Sequence, residues 1–269
     1  MASEEFADFI IKYRSSWSCV NPEIAGELEA LRLAKGEFNC DGNYSVLWHT
    51  RHKFVLLLEL PSGKQVVYKA PLKVKGVWKY LLRPGAYGME ALNFIRLSRL
   101  GLPLVKLLGA GETRNFFILK SGFLITEFAS RFADGRVFMS DDLSSEQLQY
   151  KDEFIRRNLK YLAVMHNNGY IHKGFTPFNL LWSAKDKPDE NGNILDLKWI
   201  DVASCRKVFF KRSLLKGAVH DLALFFHYMP VDEESIIRYL EHYISACRNF
   251  SLTSRELLTL IRKNPVRLA

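Results

Sequence analysis

The 269-residue sequence predicts an α+β fold in two successive parts, an antiparallel β-sheet carrying one helix and then a mainly helical region. Three observations lead to this. Between residues 44 and 69, short apolar runs are broken by turn residues, the signature of strands. Within the strand-rich part, residues 86–100 switch to a helical spacing of apolar side chains. Past Phe128 the longest periodic segment, residues 144–168, is again helical, as is most of the chain from about residue 215. The division is placed so that residues 1–128 make the first part and 129–269 the second.

In chain order, residues 4–17 read as a short amphipathic helix. Strands follow at 45–48, 53–60 and 65–69, and Pro61-Ser62-Gly63-Lys64 turns the chain between the last two. A basic stretch occupies 73–83. Pro84-Gly85 opens the internal helix, with Met89, Leu92, Phe94, Ile95 and Leu97 on its apolar stripe, and Gly101-Leu102-Pro103 stops it. Two more strands are expected, at 104–109 and 115–128. In the second part, Leu159, Leu162, Ala163 and His166 share one stripe of the long helix, and Gly169 is placed to end it. Residues 180–182 and 195–200 read as a strand pair joined by a turn-rich segment at 187–193.

Composition narrows the function. At 48% hydrophobic residues the chain can bury a substantial core, which argues against disorder. Lys and Arg outnumber Asp and Glu 38 to 29, a formal charge of +9. That suits nucleotide phosphates, nucleic acid or an acidic membrane face, or equally a solvated basic surface. Cysteines at 19, 40, 205 and 247 lack metal-ligand spacing, and a disulfide framework is not expected at this length, so a reducing compartment follows. Residues 1–6 are acidic with no apolar signal core, and no apolar run approaches bilayer length, so the expected location is cytoplasmic.

Phosphoryl transfer needs the donor phosphates held, divalent cations placed and an acceptor oriented, with little covalent help from the protein. Four residues at long spacing match those needs. Lys69 ends the apolar strand Val66-Val67-Tyr68-Lys69-Ala70, where an ammonium can face phosphates; taken alone it reads as an ordinary strand-end lysine. Glu90 sits in the first turns of the following helix and can pair with Lys69; taken alone it is an acid matched to a helix N-terminus. Asn179 closes the stretch Tyr170-Ile171-His172-Lys173-Gly174-Phe175-Thr176-Pro177-Phe178-Asn179-Leu180-Leu181, and its amide oxygen can ligate Mg²⁺ or cap a turn. Within that loop His172 reads as a hydrogen-bonded structural histidine or as a base. Asp201 follows an apolar strand and precedes a basic segment, which suits metal coordination better than a simple strand stop.

The order strand Lys, helix Glu, Gly-capped helix, His-containing loop ending in Asn, hairpin, Asp resembles the bacterial lipopolysaccharide core kinase family, the Kdo and heptose kinases of the inner core. The resemblance rests on Trp78-Lys79-Tyr80-Leu81-Leu82-Arg83-Pro84-Gly85-Ala86-Tyr87-Gly88-Met89-Glu90-Ala91-Leu92, on Leu100-Gly101-Leu102-Pro103 and on Ile125-Thr126-Glu127-Phe128. It rests also on Met165-His166-Asn167-Asn168-Gly169-Tyr170-Ile171-His172 and Trp199-Ile200-Asp201-Val202-Ala203-Ser204-Cys205-Arg206, and spans roughly residues 50–225. It implies a bilobal protein-kinase-like fold with the lobes meeting near 127–131. It further implies that Lys69 holds ATP phosphates, Glu90 positions Lys69, and Asn179 and Asp201 hold Mg²⁺. Backbone groups of Glu127, Phe128 and Ala129 would then hold adenine, and Asp221 would steady the loop, its plainer reading being an exposed helix acid. Two features depart from the family: Asp41-Gly42-Asn43-Tyr44-Ser45 is a poor substitute for a glycine-rich phosphate loop, and Gly174 stands where such kinases keep a catalytic Asp.

The resemblance therefore implies an ATP-dependent kinase acting on a heptose or Kdo hydroxyl of a Gram-negative bacterium; in the loop that lacks the Asp, Thr176 is the candidate to orient the acceptor. The alternative is a pseudokinase or scaffold of the same fold that binds nucleotide or core glycan without turnover. Arg206, Lys207, Lys211, Arg212 and Lys216 fall in a segment with no acid, interleaved with Phe209-Phe210 and Leu214-Leu215. With the group at 73–83, they suit an anionic glycan substrate and peripheral contact with the inner membrane. No nucleic-acid recognition motif is found and no stable protein partner is expected.

Overall fold

The computed structural model describes residues 16–31, 33, 44–72, 74, 77–81, 83–115, 117–140 and 142–264. The helix expected at 4–17 lies outside them save for its last two positions, and so do Asp41, Gly42 and Asn43. The chain divides into two compact units: the described residues up to Arg96 with Val105–Ser130, and Leu97–Leu104 with the described residues from Arg131 on. The sequence reading put all of 1–128 in the first part. Segment Leu97–Leu104 instead groups with the second, where Leu104 pairs in parallel with Trp199 and the Pro103 carbonyl accepts from the Trp199 N–H.

The first unit is a six-stranded antiparallel sheet. Its strands are β1 (Trp17–Val20), β2 (Tyr44–Thr50), β3 (Lys53–Glu59), β4 (Gln65–Pro71), β5 (Leu107–Asn115) and β6 (Ile118–Glu127), in the order β1-β5-β6-β4-β3-β2. The expected break between 109 and 115 is absent. A Cβ on Gly111 would fall 2.4 Å from the Phe123 ring. The missing side chain makes room for a ring on the neighbouring strand rather than for a bend.

Two elements here escaped the sequence reading, β1 and helix α1 (Pro22–Ala30). The helix opens on Asn21, whose side chain accepts from the Glu23 N–H, with proline in the first turn. Its Ile24 and Leu28 pack on Leu56, Leu58, Val66 and Ile125 of the sheet. Tyr68 stacks between Phe54 and Phe123 at 6.2 and 6.1 Å in the same layer.

Strand alternation then decides where Lys69 goes. Val66, Tyr68 and Ala70 of β4 are buried, so Lys69, one residue out of phase, belongs to the other sheet face. Helix α2 (Ala86–Ser98) carries Glu90 to Lys69. Its start is anchored by a wholly buried ion pair on β5. Arg114 donates to both the Glu112 carboxylate and the backbone carbonyls of Tyr80, Arg83 and Phe117. The other Glu112 oxygen accepts from the Gly85 N–H at 2.6 Å. Every polar atom of this staple that lies against the helix start is matched, which is what makes a buried charge pair tolerable.

The second unit is built on α3 (Ser145–Asn167), which opens with a reciprocal capping box between Ser144 and Gln147. As expected, Gly169 ends it at φ +77°, its N–H returning to the His166 carbonyl. Short strands β7 (Ala133–Asp134), β9 (Leu180–Ala184) and β10 (Leu195–Trp199) form one sheet, and β8 (Tyr170–Ile171) pairs with β11 (Arg206–Lys207). Helices α4 (Lys211–Tyr228), α5 (Glu233–Ala246) and α6 (Ser254–Arg262) complete it. Among the described residues no helix is long and apolar enough to cross a membrane. Cys19, Cys205 and Cys247 are free thiols.

Gly88 tests the staple. A Cβ there would lie 2.3 Å from Glu112 Oε1, an atom already held by Gly85. Gly88→Ala is expected to lower the unfolding free energy by about 1–3 kcal/mol by displacing that carboxylate, read from urea midpoints; a neutral substitution would mean the staple yields freely.

Candidate active site

In the first unit the sequence-predicted pair forms. Lys69 Nζ donates to Glu90 Oε1 at 2.7 Å, with the carboxylate side chain only 4% exposed and the lysine 17%. Burial of the acid and the short contact fix the ammonium's direction, which is what a phosphate-holding lysine requires. At the end of β6, the Glu127 N–H donates to the Lys106 carbonyl and the Phe128 N–H to the Gln65 carbonyl. These two amides are committed to the sheet and cannot serve adenine. The Ala129 N–H has no backbone partner among the described residues.

In the second unit the loop after α3 is held by one carboxylate. Asp221 of α4 is 0% exposed; its Oδ2 accepts from the His172 N–H at 2.7 Å and its Oδ1 from the Lys173 N–H at 2.6 Å. The plainer reading of Asp221 as an exposed helix acid is overturned. The same Oδ2 lies 3.2 Å from His166 Nε2, and His166 Nδ1 lies 2.7 Å from the Tyr243 hydroxyl. A buried polar chain thus runs from α5 through α3 to the loop. Burial pushes the Tyr243 phenol well above its usual range, so it stays protonated. Gly217 allows α4 this close: a Cβ on it would fall 2.4 Å from Ile171.

Lys173, held by Asp221, sits at φ +64°, a left-handed conformation that a side-chain-bearing residue seldom adopts. Asp201 is the other such non-glycine residue among the described residues of this unit, at φ +55°. Both conformations store strain, and residues held this way cluster at functional sites. Asp201 owes its placement to β10. The Glu153 carboxylate of α3 accepts from the Ile194 and Leu195 N–H groups, and the Trp199 indole donates to Asn158 at 2.6 Å. Directly beyond, the Ile200 N–H donates to the Asn179 carbonyl at 2.9 Å, so Asn179 and Asp201 are tied together.

Their side chains are presented as oxygen donors. The Asn179 amide nitrogen donates to the Gly174 carbonyl at 2.9 Å, which directs its oxygen elsewhere. Asp201 is exposed and makes no hydrogen bond or ion pair among the described residues. No group of three or more His, Cys, Asp or Glu fit to hold a metal exists among the described residues. An amide oxygen and one carboxylate suit a hard cation such as Mg²⁺ that takes its remaining ligands from phosphate and water.

Two sequence-predicted catalytic residues move. His172 is fully buried, edge-on to Phe175 and Trp199 at 5.6 and 5.8 Å, with neither ring nitrogen hydrogen-bonded among the described residues. It cannot touch a substrate and anchors the loop instead. Thr176 is half-buried; its N–H donates to the Gly174 carbonyl and its own carbonyl accepts from Asn179, so it shapes the turn. Gly174 has an unstrained φ, and a Cβ there would meet its nearest neighbours, His172 Nδ1 and Asn179 Nδ2, at 3.8 and 3.9 Å, ordinary contact. The backbone would accept a side chain at this position.

The chain matches no family model and no curated protein. Its fold is nonetheless shared with a solved structure, WaaP in complex with acyl carrier protein. That match has a TM-score of 0.65 at 18% identity, and covers 92% of this chain and 97% of that one. A Stt7 homolog from Micromonas algae soaked with ATP matches at TM-score 0.40 and 16% identity over 63% of this chain and 53% of that chain. The pseudokinase domain of BIR2, an immune regulator of the RLK/Pelle family, matches at 0.43 and 16% over 97% and 83%. The fold is protein-kinase-like, an antiparallel sheet unit followed by a mainly helical one. The first likeness bears out the fold implied by the resemblance to the lipopolysaccharide core kinases.

Burial lowers the His172 pKa below its usual 6.5. Below that pH the unfolded chain takes up a proton that the folded His172 refuses, so stability falls as pH falls. The slope from one such group approaches about 1.4 kcal/mol per pH unit. His172→Phe is expected to flatten the fall in urea midpoint between pH 7 and pH 5 and to cost little at pH 7; an unchanged slope would mean that His172 is protonated in the fold.

Proposed function

We propose that the chain is an ATP-dependent phosphotransferase acting on a heptose or Kdo hydroxyl of the lipopolysaccharide inner core, working at the cytoplasmic face of the inner membrane of a Gram-negative bacterium. The observation that carries the reading is the Asn179–Asp201 pair: two oxygen donors tied through the Ile200 amide, one of them an exposed, unpaired carboxylate held in a strained conformation. A scaffold has no need for that strain. Lys69, aimed by Glu90, would hold phosphate oxygens, and the Ala129 N–H is the hinge donor left for adenine. Asn179 and Asp201 would hold Mg²⁺, which when bound neutralises phosphate charge. The acid-free basic run at 206–216 favours an anionic acceptor, consistent with a phosphorylated core glycan. WaaP was solved with an acyl carrier protein bound, so the expectation of no stable protein partner is not carried into the proposal.

Gly174 supplies no base. The acceptor proton would pass to the transferred phosphate or to water, with Thr176 orienting the hydroxyl through the turn it shapes. A general base contributes about 10²- to 10⁴-fold, while positioning and electrostatics supply the rest, so its absence slows the reaction without abolishing it. The same glycine is the observation that favours the second reading, a non-catalytic binding protein.

Transfer of labelled phosphate from ATP to dephosphorylated core oligosaccharide, with Mg²⁺, separates the two. The wild type is expected to turn over slowly, Asp201→Ala to lose at least about 100-fold, and Gly174→Asp to gain about 10²- to 10⁴-fold by regaining a base. Nucleotide binding without turnover in the wild type, with turnover appearing in Gly174→Asp, would establish the scaffold reading. No nucleotide binding by either protein would end the kinase reading.

A further inference from the structure

Past β11 the second unit carries exposed rings and cations beyond the residues proposed to hold nucleotide and Mg²⁺. Phe209 and Phe210 are 84% and 77% exposed, the highest values among the exposed large apolar side chains of the described residues. Phe210 occupies the cap position of α4 and makes no side-chain cap bond, at a place where Ser, Thr, Asp or Asn would stabilise the helix. Helix stability therefore gives no reason for a phenylalanine there. Arg206 and Lys207 precede the pair and Lys211, Arg212 and Lys216 follow it, all exposed. None of these cations meets an acid among the described residues.

The charge continues onto α6. Helix α4 and the C-terminal end of α6 border an open depression of about 280 Å³ with Leu215 and Leu260 in its wall and Arg212, Lys216, Lys263 and Asn264 around it. The Asn264 side-chain nitrogen is shielded from solvent and has no hydrogen-bond partner among the described residues. Three cations and an unmatched donor beside an apolar wall are complementary to a phosphate that hangs from something greasy.

We propose that this face docks on a lipid bilayer bearing anionic headgroups. Phe209 and Phe210 enter the boundary between headgroups and acyl chains, the cations of 206–216 lie along the anionic surface, and one headgroup phosphate occupies the α4–α6 depression against Arg212, Lys216, Lys263 and Asn264. Charge of one sign selects an anionic surface. Adjacent exposed rings need an apolar layer to enter, which a bilayer supplies and a nucleic-acid backbone does not. The inference deepens the kinase reading by giving it a membrane partner, yet it is tested without nucleotide, so either can fail alone.

The test is flotation of the full chain with vesicles of phosphatidylcholine alone or with phosphatidylglycerol added. The wild type is expected to float with the anionic vesicles only, less so as salt rises. Phe209→Ser with Phe210→Ser should abolish flotation. Arg212→Gln with Lys216→Gln and Lys263→Gln should weaken it about 100-fold, from roughly fivefold per cation near an anionic surface. Since all five side chains are exposed, circular dichroism melting serves to verify that both variants remain folded. Failure of the wild type to float with anionic vesicles, flotation of the phenylalanine variant at wild-type level, or displacement from vesicles by an equimolar single-stranded oligonucleotide would each overturn the proposal, the last assigning the surface to nucleic acid.

Discussion

One buried carboxylate organises the candidate active site. Asp221 has no solvent to stabilise its charge and takes two short backbone N–H bonds from His172 and Lys173 instead. Those bonds do more than satisfy a buried acid. They fix consecutive residues at the mouth of the loop, one of them in a left-handed conformation that an unrestrained lysine would leave. From that fixed entry the rest of the loop follows by local bonds: Gly174 to Thr176, Thr176 to Asn179, and Asn179 to the strand that carries Asp201. Remove the anchor and the entry to the loop loses both bonds that fix it, while Asp201 keeps only the placement that β10 gives. His166 and Tyr243 extend the same anchor into α3 and α5, which share one core.

The first unit uses the same device with the opposite partner. There a buried guanidinium, Arg114, collects the carbonyls of Tyr80, Arg83 and Phe117 while its partner Glu112 accepts from Gly85. The segment leading into α2 is thereby fixed, and with it the helical turn that presents Glu90 to Lys69. In both units the residues proposed to do chemistry are partly exposed or on a sheet face, and a fully buried charge one layer behind sets their geometry. Reactive groups gain directional order without being desolvated themselves.

How much of this the sequence disclosed depends on the range of the cause. Local signals were legible: the hairpin turn before β4 and the Gly169 helix stop follow from short patterns, whereas the Lys69–Glu90 contact was legible only through the order of elements and the family resemblance. The end of the long helix and the β9–β10 pair belong with the local signals. What was missed has long-range causes. The strand break expected between 109 and 115 is one such miss, since the ring that needs Gly111 bare, Phe123, lies on another strand. Nothing near Glu112 or Arg114 announces a buried pair in a strand, and their partners are some thirty residues upstream. Helix α1 is the exception, since Asn21-Pro22 is a local start signal that went unread. His172 was left open between a structural histidine and a base; the rings of Phe175 and Trp199 that bury it, and leave its ring nitrogens without hydrogen bonds among the described residues, were invisible. Asp221 was legible only through family resemblance, since in isolation an acid in a helix says nothing about a loop far upstream.

The most direct test is amide hydrogen exchange at His172 and Lys173 in the intact chain. If the Asp221 carboxylate holds the loop, both amides exchange as slowly as those in the centre of α3, and Asp221→Ala releases them by orders of magnitude while α3 stays protected. Wild-type amides at 172 and 173 that exchange as fast as those of an open loop would contradict the account.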